Sequence, residues 1–155
     1  MACHRRIEQR IRAMERAAQA VVSRREEALA AIESALQFLG SAGARHTEDE
    51  EDSLFPRLRS RMEPGERVFL AQLEHDHAEA GGIHRRLASL VELAVQGTLD
   101  APAIQGAVAE LAALYRRHIA AEDEALTGYA RRLLSQQDRA AIAAEMRARR
   151  AGAGG

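Results

Sequence analysis

Apolar residues recur at three- and four-residue intervals through most of the chain, and strand-like alternation is nowhere sustained. A first helix is predicted over residues 2–20, where His4, Ile7, Ile11, Met14 and Ala18 share one face and arginines and glutamates fill the rest. Ser23-Arg-Arg-Glu26 reads as a capping box opening a second helix, whose stripe is Leu29, Ile32, Leu36 and Leu39. Gly40-Ser-Ala-Gly43 weakens that helix and predicts a kink or short break, with helix resuming before His46. Pro56 predicts a bend rather than a stop, and the helix is expected to end near Met62.

Pro64-Gly65 marks the clearest turn. A third helix is expected from about Glu66 to Val95, carrying Val68, Leu70, Leu73, His77, Ile83, His84, Leu87 and Leu90. Gly81-Gly82 falls inside it and predicts a close backbone approach or an adjusted turn. Gly97-Thr98 ends this helix, and Asp100-Ala-Pro102 opens a fourth. Its stripe runs unbroken through Ile104, Val108, Leu111, Tyr115, His118, Glu122, Ala125 and Tyr129. Ser135-Gln-Gln-Asp138 reads as the cap of a terminal helix reaching about Arg150. Long helices with short connections predict an all-α fold, an antiparallel up-down four-helix bundle with a short extra C-terminal helix. Residues 1–150 are expected to form one domain, and glycine-rich residues 151–155 a disordered tail.

Composition sharpens this picture. At 155 residues the chain is long enough to bury a substantial core, and its apolar share of 46% contains only 3% aromatics, which favours close helix–helix packing. The 22 basic residues, all arginine, nearly balance 23 acids, so the basic excess of a nucleic-acid binder is missing. Cys3 is the only cysteine, which excludes an intrachain disulfide and fits a reducing, cytoplasmic location. No apolar run approaches the ~20 residues that span a bilayer, so no membrane partner is expected.

The chemistry concentrates in a repeated phrase. His46-Thr-Glu-Asp-Glu50 is followed by two acids, Ser53 and Leu54; His118-Ile-Ala-Ala-Glu122 is followed by two acids, Ala125 and Leu126. Each His-x3-Glu pair shares one helix face, one turn apart. Reflecting residue numbers across the turns of a bundle brings His77 to the depth of Glu50, places His118 and Glu122 on either side of it, and sets His4 near the level of His84. Residues from four helices thus converge on one layer about two turns thick. Imidazoles with carboxylates suit iron, manganese or zinc. Four or five histidines and two glutamates exceed the needs of one tetrahedral zinc and suit two metals, with a glutamate from each of two helices able to bridge them.

The order of the motifs discriminates further. Ferritin-like di-iron bundles use Glu-x-x-His and helical zinc proteases His-Glu-x-x-His; neither organises this chain. The set His4-Arg-Arg-Ile7, His46-x3-Glu50 leading into Leu-Phe-Pro56, Glu74-His-Asp-His77 and His118-x3-Glu122 instead resembles the hemerythrin-like, or HHE cation-binding, family over about residues 1–133. The resemblance implies an oxo- or hydroxo-bridged non-haem di-iron centre (two iron ions, with manganese or zinc as alternatives) in a four-helix bundle. It also implies His4, His46, Glu50, His77, His118 and Glu122 as metal ligands. Two departures stand out. Leu-Thr-Gly occupies 126–128 where members often have Leu-Phe-Pro, and His84 lies two turns after His77, a displaced equivalent of the second histidine that oxygen-carrying hemerythrins place on this helix.

The leading expectation is a di-iron protein that binds or senses a small diatomic or peroxide ligand. The alternatives are an enzyme acting on peroxide or nitric oxide, or in iron handling and repair, and an interaction bundle that its metal merely stabilises. Other polar residues are given plain roles. His75 is expected at the surface and Glu8 in a salt bridge, while Glu48, Asp49, Glu51, Asp52, Asp123 and Glu124 are expected to face solvent. Tyr115 and Tyr129 are expected to pack in the core, and Cys3 to lie in a frayed N-terminus.

Overall fold

The computed structural model describes residues 2–152, and of Ala2 only the backbone. Five helices make up the fold: α1 (Ala2–Ala20), α2 (25–59), α3 (Arg67–Val95), α4 (101–133) and α5 (Gln136–Gly152). The first four form the antiparallel up-down bundle that the hydrophobic pattern predicts, and α5 packs across its lower end. The last helix continues through Ala151 and Gly152; residues 153–155 lie outside the described residues. No described helix is long and apolar enough to cross a membrane.

The stripes become the core. Ile7, Ile11 and Met14 of α1, Leu29 and Ile32 of α2, Ile83 and Leu87 of α3, and Ile104, Val108 and Leu111 of α4 form the upper apolar cluster. A separate lower cluster joins Phe55, Leu58 and Met62 to Leu70, Leu73 and Leu126, and Leu134 and Ile142 close it from below. Burying each such side chain contributes about 1.5–3 kcal/mol. Between the clusters lies a layer of buried polar groups: His4, Asp49, Glu50, Ser53, Asp76, His118 and Glu122. Val68, expected on the core stripe of α3, is 68% exposed because it falls in that helix's first turn, outside the bundle seam.

Local signals hold at some ends and fail at others. The Asp100 carboxylate accepts from the Ala103 N–H at 3.0 Å, capping α4. Ser135 and Asp138 cap α5 reciprocally. Gly97 closes α3 with a φ of +111°, the left-handed conformation that glycine adopts without strain. The capping box expected at Ser23 does not form: the Ser23 hydroxyl turns back to the Ala20 carbonyl, and Arg24 occupies the cap position with no side-chain bond. Gly81 and Gly82 lie in regular helix, and a Cβ at either would meet nothing closer than the Arg85 guanidinium at 3.5 Å. The expected close backbone approach is therefore absent there.

Neither Gly40–Gly43 nor Pro56 breaks α2. The helix widens into π-helical turns at Leu39–Gly43 and Asp49–Leu54, and α4 does the same at Glu122–Leu126. A π turn inserts one extra residue and rotates the side chains beyond it about the helix axis. The second of these turns gives the Pro56 ring room against the preceding turn, so the helix runs on to Arg59. Proline is compatible with the wide turn but does not cause it, since α4 has the same turn with Gly128 at the matching place.

One expectation is overturned here. Asp49 does not face solvent; it is 2% exposed and held by Arg149 at 2.9 Å and Arg150 at 2.6 Å from α5. Arg149 also donates to the Ser53 hydroxyl at 2.6 Å, and Arg57 pairs with Glu145. These charge-assisted bonds bind α5 to the polar layer. Asp49→Ala should lower stability by about 2 kcal/mol, given the worth of hydrogen bonds to charged groups; urea unfolding with an unchanged m-value is the check.

Candidate metal centre

Four helices each supply one histidine to the polar layer. His4 begins α1 and meets His46 of α2, their Nε2 atoms 3.1 Å apart. His77 of α3 meets His118 of α4 in the same way, again at 3.1 Å. The two glutamates lie between these pairs. Glu122 sets Oε2 at 2.9 Å from His4 and 3.8 Å from His46, and its other oxygen at 2.9 Å from His118. Glu50 sets Oε1 at 3.6 Å from His46 and Oε2 at 3.4 Å from His77. Two clusters result, His4–His46–Glu50–Glu122 and His77–His118–Glu50–Glu122, each with its donor atoms within 4.8 Å of one another. Each glutamate aims one oxygen at each cluster.

Sequence reasoning thus foresees six residues that the fold brings together, and a seventh that it does not. His84 belongs to neither cluster, and its Nε2–H donates to the Leu36 carbonyl at 2.9 Å. The depth argument places it near His4, but it sits at the level of Leu36, on the α2–α3 seam and outside the layer. His75 is exposed and Glu8 pairs with Arg12, as expected. Cys3 is half-buried within α1 against the upper core rather than frayed.

Three further acids have roles that spacing alone did not reveal. Asp123 accepts from His4 Nδ1 at 3.0 Å, and Glu51 from His77 Nδ1 at 2.7 Å. Asp76 lies 3.5 Å from His118 Nδ1 and is itself buried, bonded by Gln72. The first two contacts orient the His4 and His77 rings and hold the proton on Nδ1, which leaves the Nε2 lone pair for a cation. Asp123 and Glu51 each follow a shared glutamate and each reach across to the histidine of a partner helix. The acid repeated after Glu50 and Glu122 was the signal in the sequence. Asp123 and Glu51 both stay partly open to solvent, as expected, with side chains 50% and 38% exposed, while also reaching back to the bundle.

The electrostatics test whether cations fit. Glu122 is only 1% exposed, and both its oxygens lack an aligned hydrogen-bond donor despite the short imidazole contacts; Glu50 Oε2 is likewise unpartnered. Orphaned buried carboxylate oxygens are costly. Burial, reinforced by the charge on Glu122, pushes the Glu50 carboxyl up to about 8. Burial also works against ionised Glu122, but the facing imidazoles of His118, His4 and His46 outweigh it and hold this group below the usual carboxylate range. The contact with Glu122 raises the His4 imidazole against its own burial. Four imidazole nitrogens and four carboxylate oxygens facing two points, with acceptors otherwise unsatisfied, fit a pair of divalent or trivalent cations.

A cavity of about 390 Å³ adjoins the layer between α2, α3 and α4. It touches His46, His77, His118 and Glu122 but neither His4 nor Glu50. His46 and His77 have side chains 20% and 11% exposed, against 1% for Glu122, so the layer is open on this side. On the opposite face of His77, Phe55 stacks parallel to the ring with centroids 6.2 Å apart. The matching position in α4 is Thr127, which supplies no such ring.

The model of the family described as the hemerythrin HHE cation-binding domain matches residues 1–130. A comparison with curated proteins finds no match.

Below about pH 8 Glu50 holds a proton that an incoming cation displaces, so metal uptake at pH 7 should release protons and affinity should weaken as the pH falls. Calorimetric titration in two buffers of different ionisation enthalpy measures the release. Glu51→Ala and Asp123→Ala should each weaken metal affinity about 10- to 100-fold with little change in helicity, read by competition against a chelator and by circular dichroism.

Proposed function

We propose that this chain, which belongs to the hemerythrin HHE cation-binding domain family, holds two iron ions and uses them to bind or sense a small oxidant or gas: dioxygen, nitric oxide or peroxide. The ligands in this reading are His4, His46, Glu50, His77, His118 and Glu122. One observation carries it: both glutamates point one oxygen into each of two histidine pairs. A single cation would leave one of those pairs facing carboxylate oxygens with no shared charge. Among metals that accept imidazole and carboxylate together, iron also supplies redox chemistry toward small oxidants when bound. A reducing cytoplasmic setting is part of this reading, supported by the single cysteine.

The chain's own residues divide the work. Asp123 and Glu51 hold His4 and His77 in the tautomer that leaves Nε2 free. Phe55 covers His77 from below and excludes water there. The cavity side, past His46 and His77, is the way in for a ligand. The four histidines contribute no negative charge, so the ligand set carries only two carboxylates, few for a centre of this nuclearity. That donor balance favours reversible binding over strongly oxidising chemistry.

Reconstitution with ferrous iron under nitrogen, followed by metal analysis and visible spectra on adding dioxygen, nitric oxide or peroxide, tests this. Two irons per chain and a spectral change with at least one of the three are expected. Glu122→Ala should remove both irons, because it serves both clusters, while Asp52→Ala at the exposed surface should remove neither. One iron or fewer per chain would overturn the paired centre. Two irons that stabilise the fold but answer none of the three ligands would leave a structural metal.

A further inference from the structure

The cavity beside the metal layer is far larger than a diatomic ligand requires. Its ~390 Å³ compares with the roughly 30 Å³ share of a water molecule in liquid, and lies in the range of sites for small organic molecules. The extra space has an identifiable origin. Gly40 and Gly43, one turn apart on the widened stretch of α2, both line it. A Cβ at Gly40 would meet only the His84 ring at 3.6 Å, and one at Gly43 only Leu39 and the Tyr115 hydroxyl at 3.9 Å. These are ordinary contacts, so packing does not demand glycine at either place. Side chains would fit there, and their absence leaves the cavity hollow. Leu39, Leu114 and Ile119 supply apolar wall.

Two polar side chains on the cavity wall keep unused hydrogen-bonding capacity. The Tyr115 hydroxyl lines the cavity and has no hydrogen-bond partner among the described residues. Burial, with the nearby Cys3 thiol, pushes it up to about 12, so it stays a neutral donor. His84 lines the same space, and with its Nε2–H given to the Leu36 carbonyl, Nδ1 is the ring's acceptor position. Exposed Arg85 and Glu48 lie at the mouth with opposite charges, which gives no net preference for an ion.

We propose that this cavity binds an uncharged small organic molecule bearing a hydroxyl group, an alcohol or a phenol, with its apolar body over Gly40 and Gly43 and its hydroxyl between Tyr115 and His84. One donor and one acceptor in an apolar chamber match a hydroxyl, which accepts one bond and donates another. A carboxylate would leave the His84 lone pair facing its own, and a pure hydrocarbon would leave both protein groups unpaired. The inference rests on the paired metal centre only for what the bound molecule then faces; the binding itself needs no metal.

Calorimetry or ligand-observed NMR with 1-hexanol, hexanoate and toluene, on metal-free and iron-loaded protein, tests the proposal. Hexanol is expected to bind both forms, at least tenfold more tightly than hexanoate. Tyr115→Phe and His84→Leu should each weaken hexanol by roughly three- to tenfold, the worth of one neutral hydrogen bond, while toluene binds as tightly or more tightly. Gly43→Leu, or Ala80→Leu from the facing helix if the first fails to fold, should abolish hexanol binding with iron content retained. Hexanoate binding as tightly as hexanol, or hexanol surviving in a folded filled variant, would overturn it. Because iron is counted in the same samples, loss of the metal reading and loss of this one give different results.

Discussion

The structure depends on two buried glutamates being shared. Glu50 and Glu122 come from helices in different halves of the bundle, yet each offers one oxygen to each histidine pair. Burial pushes the Glu50 carboxyl up to about 8, and the neighbouring Glu122 charge adds to that push. Protons or metal cations must supply the missing positive charge. Everything around the layer answers this need: four imidazoles inside it, and acids that hold the outer nitrogens of His4 and His77.

Placing such a layer in the middle of a bundle splits the hydrophobic core. The upper cluster holds α1 to α4 together, whereas the lower one contains no described residue of α1. Helix α5 fills that gap. Leu134 and Ile142 close the lower core, and Arg149 and Arg150 reach the buried Asp49 beside Glu50. The terminal helix is therefore tied both to the core and to the residue next to a shared glutamate. Its absence would expose the underside of the layer to water, where screening weakens every charge interaction within it.

The π-helical turns link chain geometry to chemistry. They occur where a shared glutamate must point inward while the neighbouring acid reaches sideways, an arrangement that regular helix spacing does not provide. The first such turn does something different: it carries Gly40 and Gly43 past α3 and leaves open space instead of a ligand. The same backbone device thus shapes both the centre and the cavity that leads to it.

Helix number, direction and the six converging residues were legible in the sequence because they depend on local periodicity and on counting across turns. His4, His46, Glu50, His77, His118 and Glu122 needed only spacing and depth. What spacing could not supply was rotation about each helix axis. Asp49 looked like surface and is buried beneath α5, while Glu51 and Asp123, partly exposed as expected, also support the layer. His84 fails on depth: seven residues of regular helix carry it about 10.5 Å along α3 from His77, to the level of Leu36. The sequence by itself determined which side chains share a level. The tertiary structure decided which way they point, since that depends on how neighbouring helices let a widened turn form.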